Sequence, residues 1–240
     1  MKADLSIIIT NFNKTPAQLE ECIQSVRDQT IEPKEVILVD DGSKEPHAHY
    51  GAMLSVIVSK NSGVAKARDY GVRISTGKLL LFLDADDKLN PDFIQQCGKQ
   101  IMKADIVYPN LLLFGELERN KLSLAPATIR PTYFLGRDCR IPVTSMMWRK
   151  VYEDLKGFRD LPIFEDWDFW IRAACKGYTF RRANTLLWYR QNKNSRNHAT
   201  KELKSSIHHK ITAPYEVRDG KVHERKLDGS KTPQVSPRFG

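Results

Sequence analysis

The chain is 240 residues long, 41% hydrophobic and 28% charged, with 38 Lys and Arg against 29 Asp and Glu for a formal net charge of +9. This length supports one sizeable core, or one domain with an appendage. No segment approaches the roughly 18–20 apolar residues that cross a bilayer, and the opening MKADLSIIITNFNK has too short an apolar run for a signal peptide, so at most peripheral membrane contact is expected.

Strand and helix signals alternate from the N-terminus. Residues 5–10 are an isoleucine-rich run suited to a buried strand. Thr15 can cap a helix with Pro16 in its first position and Gln18 closing a capping box; Leu19, Ile23 and Val26 then form one apolar stripe. Residues 35–40 are a second strand, ending in two aspartates. Residues 54–58 are a third. Residues 63–75 read as a helix with Ala65, Ala67 and Val72 available for close packing, and 79–83 as a fourth strand that again ends in aspartates. Asn90 and Pro91 open a helix to about Met102, and 106–108 is a short fifth strand. This alternation predicts an α/β fold with a mainly parallel sheet flanked by helices, whose ligands bind beyond the carboxyl ends of the strands.

Pro109, Pro126, Pro131 and Pro142 break the chain repeatedly, so residues 110–160 read as loops and short strands. Residues 166–176 read as a helix with Gly177 in its C-terminal capping position, and 186–189 as a strand. A weakly helical stretch is expected near 200–211, followed from about 214 by a disordered or draped tail. Residues 1–100 carry 12 Lys and Arg against 14 Asp and Glu, residues 101–190 carry 15 against 10, and residues 191–240 carry 11 against 5. The last part therefore offers a cationic surface, suited to phosphate-rich partners or simply solvated. Cys22, Cys97, Cys139 and Cys175 share no metal-ligand spacing; they imply neither a zinc site nor a disulfide framework, which fits a reducing, cytoplasmic compartment. Cys22 and Cys175 read as small buried hydrophobes.

The strongest chemical signal is DADD, residues 84–87, directly after the apolar run LLLFL. Three carboxylates at a strand end raise one another's pKa unless a cation neutralises them, and hard oxygen ligands suit magnesium or manganese. Asp84 and Asp86 point to the same side if the chain stays extended, one toward a ribose and the other toward the metal. The plainer alternative is a solvated turn that caps a helix. The second signal is VDDGS, residues 39–43, where Asp40 can accept hydrogen bonds from a base or ribose and Asp41-Gly42 makes a tight turn. Alone, it is equally an ordinary strand-to-helix turn.

Together the segments SIIITNFN (6–13), VDDGS (39–43), NSGVAKARDYG (61–71), LLFLDADD (80–87) and EDWDFWIRAACKGY (165–178) resemble, in order and spacing, the family 2 glycosyltransferases of the GT-A, Rossmann-like fold. The resemblance covers about residues 4–190. It divides the chain into a catalytic domain, 1–192, and a basic C-terminal extension, 193–240. Within the domain, 1–108 would be the nucleotide-sugar-binding half and 109–192 the acceptor-binding half with the catalytic base.

The resemblance places Thr10 and Phe12 in the nucleotide base pocket, Asp40 on the base (usually uracil) and Asp41 by the ribose. Asn61, Gly63 and Arg68 belong to the segment that closes over the nucleotide, with Arg68 neutralising phosphate charge. Asp84, Ala85 and Asp86 match the DxD motif, with Asp84 and Asp86 holding a divalent cation, Mn2+ or Mg2+, against the diphosphate of a UDP-sugar. Asp166 matches the catalytic base. The residue types suit that chemistry: a metal stabilises the growing charge of the diphosphate leaving group, and a carboxylate on the opposite face takes the acceptor's hydroxyl proton, so that one displacement inverts the anomeric centre. Glu165 beside Asp166 would raise the base's pKa; without the family context the pair reads as acids at a positive helix end.

Two positions depart from the family pattern. Asn192 stands in WYRQNKNS where many relatives carry a metal-binding His, leaving Asn192 or His198 as the substitute, and Thr10 stands where many have Pro. Trp148, Trp167, Trp170 and Trp188 are candidates for a sugar-acceptor cleft or for the core, and Met146 and Met147 for core filling. The acceptor is expected to be a glycan or a lipid-linked glycan; the cationic tail keeps open a polynucleotide such as DNA with hydroxylated bases. A nucleotide-sugar binder without turnover is the non-enzymatic alternative.

Overall fold

The computed structural model describes residues 2–46, 54–57, 60–117, 120–126, 129–136, 139–192 and 200–225. Strand β1 (Lys2–Asn11) leads through α1 (Pro16–Arg27) to β2 (Glu32–Asp40) and β3 (Leu54–Ile57). Helix α2 (Val64–Ile74), β4 (Leu79–Asp84), β5 (Lys88–Leu89), α3 (Phe93–Ile101) and β6 (Ile106–Gly115) follow. Next come β7 (Lys121–Ser123), a 3-10 turn at Pro131–Leu135, β8 (Met146–Trp148), α4 (Arg149–Asp154), α5 (Glu165–Cys175) and β9 (Phe180–Gln191). Helix α6 (Lys201–Thr212) and the hairpin β10 (Tyr215–Arg218) and β11 (Lys221–Glu224) close the described chain.

Nine strands form one sheet in the order β3-β2-β1-β4-β8-β6-β9-β5, with β7 on β6. The first four positions are mutually parallel, as is β6 with β9; β8 runs antiparallel between β4 and β6. Both faces of the parallel half are covered, which is why its strands are nearly continuous apolar runs. Along β1, Ile7 and Ile9 pack with α1 and α3, while Ile8 packs with α2 and α5 on the other face. Helix α1 begins as its sequence requires, with the Thr15–Gln18 capping box formed and Pro16 in its first turn.

Three regions differ from the sequence reading. Strand β6 runs ten residues rather than three, passing Pro109 where its register with β9 shifts between Tyr108 and Asn110; a missing N–H is tolerated at such an irregularity. Residues 110–160 consequently hold more regular structure than their prolines suggest. Residues from 214 are not a loose tail up to 225. Tyr215 and Val222 of the hairpin are buried at 4% and 1% exposure, and with Ile207 and Ile211 of α6 they join the core beside α5. Asp219 and Gly220 both take positive φ at the hairpin turn, the conformation that Asp-Gly favours between paired strands. Residues 193–199 and 226–240, including His198, lie outside the described residues.

Candidate active site

The parallel register brings the acidic motifs together. Thr10 pairs with Asp84 across β1 and β4, and Asn11 pairs with Asp40 across β1 and β2, so three strands deliver their carboxyl ends to one edge. Beyond this edge lies a cleft of about 1430 Å³ whose lining includes Phe12, Asp41, Asn61, Asp84, Asp86 and Asp166. The first turn of α2 opens into it behind Gly63, which offers no side-chain cap, so this helix end presents its positive pole to the cleft.

The two aspartates of VDDGS are held by the protein. Asp40 is 1% exposed; its Oδ2 accepts from Asn11 Nδ2 at 2.6 Å and its Oδ1 from the Ser43 N–H at 2.8 Å. The carboxylate expected on the nucleotide base is thus turned inward, bracing the strand end. Asp41 lines the cleft, with Oδ1 accepting from the Ser62 N–H and Oγ and Oδ2 from the Gly63 N–H, all at 2.8–2.9 Å. It ties the end of β2 to the loop that starts α2, in which Asn61 Oδ1 also accepts from the Gly63 N–H. Gly42, at φ +78°, is required here: a Cβ would meet the Asn61 backbone nitrogen at 2.7 Å.

In DADD the three aspartates line the cleft with different partners. Asp84 accepts from Thr10 Oγ1 at 3.2 Å and from Arg68 at 2.8 Å. Ala85 is fully buried and donates its N–H to the Thr10 carbonyl, so it contributes backbone only. Asp86 Oδ2 receives Lys14 Nζ at 2.6 Å and Asn192 Nδ2 at 3.3 Å. Asp87 is buried and accepts the Arg190 N–H at 2.8 Å; burial first, then the charges of Asp86 and Asp84, hold its carboxyl well above the usual range.

Arg68, expected to neutralise phosphate charge, lines the cleft with its guanidinium engaged by two carboxylates. It is 1% exposed, donating NH2 to Asp84 Oδ1 at 2.8 Å and NH1 to Glu165 Oε1 at 2.9 Å. Its guanidinium lies over the Phe158 ring, and its charged form is strongly favoured by the two carboxylates despite the cost of burial.

Helix α5 opens with three acids, and their partners differ. Glu165 pairs with Arg68, and Asp168 pairs with Arg159 and Arg172. Asp166 makes no ion pair among the described residues; its Oδ1 accepts the neighbouring Trp167 N–H at 2.8 Å. Burial, and next the Glu165 charge, push its carboxyl up to about 7, the range in which a carboxylate serves as a base at neutral pH. Of the tryptophans only Trp167 lines the cleft. Trp170 is core, Trp148 donates to the Ile101 carbonyl, and Trp188 packs on Phe114 and Lys88.

The donor set bears on a divalent cation. Among the described residues no three His, Cys, Asp or Glu side chains converge as a metal cage. Magnesium held against a nucleotide needs no such cage, since one or two carboxylates serve together with phosphate oxygens and water. Asp86 and Asp84 fit that requirement: they share the cleft, and a cation, the Lys14 ammonium, already sits 2.6 Å from Asp86. Asn192 is at the same oxygen, and reversing its amide would present a carbonyl oxygen there.

Two residues of this centre were not singled out from the sequence. Lys14 follows β1 in NFNK, and only the strand-end position of that segment signals it. Arg190 donates Nε to the Asp86 carbonyl and NH2 to Glu21, and its guanidinium stacks on Phe114. It ties DADD to β9, a contact spanning 104 residues of chain.

Residues 6–156 match the model of glycosyl transferase family 2. The chain is 30% identical over 190 residues to the uncharacterized glycosyltransferase YwdF of Bacillus subtilis (strain 168), covering 74% of this chain and 70% of that one. It is also 30% identical over 99 residues to the putative glycosyltransferase EpsH of the same organism, covering 38% and 28%. Among solved structures, S. aureus TarS 1-349 in complex with UDP-GlcNAc superposes with a TM-score of 0.63 at 17% identity, over 83% of this chain and 61% of that one. The chain thus spans less than two thirds of both EpsH and the TarS structure.

Proposed function

Because the chain belongs to glycosyl transferase family 2, we propose that it moves a sugar, with inversion, from a nucleotide diphosphate to a hydroxyl of a glycan or lipid-linked glycan. The observation that carries this reading is that Asp84, Asp86 and Asp166 line one and the same cleft. UDP-sugars are the first donors to test, since a structure of similar fold holds UDP-GlcNAc.

In this mechanism Phe12, Asp41 and the loop at Asn61 and Gly63 receive the nucleoside. Asp86 and Asp84, with the Asn192 carboxamide, would hold a magnesium or manganese ion, which supplies charge stabilisation to the departing diphosphate. Lys14, now on Asp86, is placed to follow the negative charge onto a phosphate oxygen. Asp166 accepts the acceptor's hydroxyl proton as the oxygen attacks; its raised pKa makes it a better proton acceptor than an ordinary aspartate while leaving it substantially ionised near neutrality. Trp167 and the apolar wall about Leu161 and Ile163 exclude water from that side.

One observation favours a second reading of the acceptor: Lys121, Arg140 and Lys204, from three separate elements, line the cleft, which suits an anionic polymer such as a polynucleotide. The free cysteines among the described residues suit a reducing, cytoplasmic setting, and no described helix is long and apolar enough to cross a membrane.

The test is a donor screen by released nucleotide, with manganese and with EDTA. Slow hydrolysis of one donor that stops in EDTA supports the reading and names the sugar. Full turnover in EDTA refutes the metal, and nucleotide-sugar binding with no turnover on any acceptor would make the chain a binder.

A further inference from the structure

Arg68 departs furthest from what its motif suggests. A buried guanidinium normally needs its donors paired, and here two of three nitrogens are paired with carboxylates from two different elements while Nε has no hydrogen-bond partner. One partner, Asp84, ends β4 on the donor side; the other, Glu165, opens α5 and precedes the proposed base by one residue. These partners lie 16 and 97 residues from Arg68 along the chain, so the guanidinium is a physical joint between the two halves. A planar fork can span two carboxylates at fixed angles; an ammonium on a flexible stem cannot.

We propose that Arg68 is a positioning residue that locks Asp84 to Glu165, and thereby fixes the first turn of α5 and the direction of Asp166, without touching the diphosphate. This rests on Asp166 being the base. Arg68 borders the cleft but is only 1% exposed, and swinging it to a phosphate would break a buried ion pair with Glu165, itself 5% exposed. Its charge also lowers the proton affinity of Asp166, which burial and the Glu165 charge raise. The joint therefore sets both the aim and the basicity of the base.

Two measurements separate these roles. In Arg68→Lys the charge remains and the fork is lost: turnover should fall by about 100-fold, while UDP affinity measured by calorimetry in EDTA, where Asp84 holds no metal, should change by less than about threefold. Loss of UDP affinity in step with rate would place Arg68 on the diphosphate and overturn the proposal, as would an undiminished rate. The second measurement needs no substrate: carboxyl-carbon NMR of the free protein, following the Glu165–Asp166 pair against pH. Arg68→Met should make the pair take up its first proton at higher pH, and Arg68→Lys should leave it close to the native value. If Arg68→Met does not fold, Glu165→Gln serves, since Gln still accepts from Arg68 while removing the charge; the Asp166 titration should then move to lower pH. An unmoved titration in the folded variant would overturn the joint. If no donor is turned over by the native protein, the titration alone still decides whether the joint exists, and the failure then lies with the proposed function.

Discussion

The two sides of the cleft, which the proposed function assigns to donor and acceptor, are held together by different means. On the donor side, Asp40 and Asp41 are gripped mainly by backbone N–H groups and short polar side chains at adjoining strand ends. On the acceptor side, α5 is held by aromatic packing: Trp167 and Trp170 donate their indole N–H to the carbonyls of Phe134 and Ile141, while Phe169 and Trp170 stack edge to face. The donor side is a set of local turns on a parallel sheet and can be built from short motifs. The acceptor side exists only once distant segments have packed, and a substitution far from the cleft should disturb it more.

Truncation after Asn192 gives the largest expected effect. It removes Ile207, Ile211, Tyr215 and Val222, all buried against the acceptor half. Each such side chain contributes about 1.5–3 kcal/mol, and the sum rivals the roughly 5–15 kcal/mol net stability of a whole domain. The truncated chain should be insoluble or lose its cooperative melt. A soluble truncation with an unchanged Tm would show that the acceptor half does not need its C-terminal cover.

Asp166→Asn should leave the two sides structurally intact and separate them functionally. Turnover should drop by about 100- to 10,000-fold, the range for loss of a general base, while calorimetry finds UDP affinity unchanged. Parallel loss of both would mean that the halves communicate through this carboxylate in binding as well as in chemistry.

How much of this was legible follows the same division. The strands and helices of the first half, its Thr15 cap and the placing of both acidic motifs at strand ends could be read because apolar runs and capping residues are local signals, and the motifs directly follow them. The extent of β6, the Lys14–Asp86 contact and the link from Arg190 to DADD could not, because they depend on which strands become neighbours across 72 to 104 residues of chain. Arg68 was visible as a motif member but not as a buried joint, since helical spacing does not say which face a carboxylate from another element will meet. The hairpin at 215–224 did carry a signal, Asp219-Gly220 between Val217 and Val222, which the surrounding charge obscured.

The pH dependence sharpens the contrast at a smaller scale. With the Asp166 carboxyl pushed up to about 7, kcat/KM should rise about tenfold per pH unit below that value and level off above it, because the ionised form is the base. An ordinary aspartate would place the break near 4. A flat profile between pH 5 and 8 would mean that Asp166 is ionised throughout that range in the free enzyme, or is not the base.

The smallest effect concerns the cations of the acceptor side. Lys121, Arg140 and Lys204 line the cleft from β7, a loop and α6, with Lys204 half-buried. If each meets a phosphate of a polynucleotide, binding of a labelled single-stranded oligonucleotide should weaken with salt. The slope of log affinity against log salt should be roughly −2 to −3, at about −0.7 to −0.9 per phosphate neutralised. Lys204→Ala should then flatten the slope by a little under one, with little change in Tm because Lys204 is only half-buried. A neutral glycan offers no counterions to release, so its affinity should be nearly independent of salt. Turnover of such an acceptor, with no oligonucleotide binding, would refute a polynucleotide acceptor and leave the three cations as parts of the cleft wall.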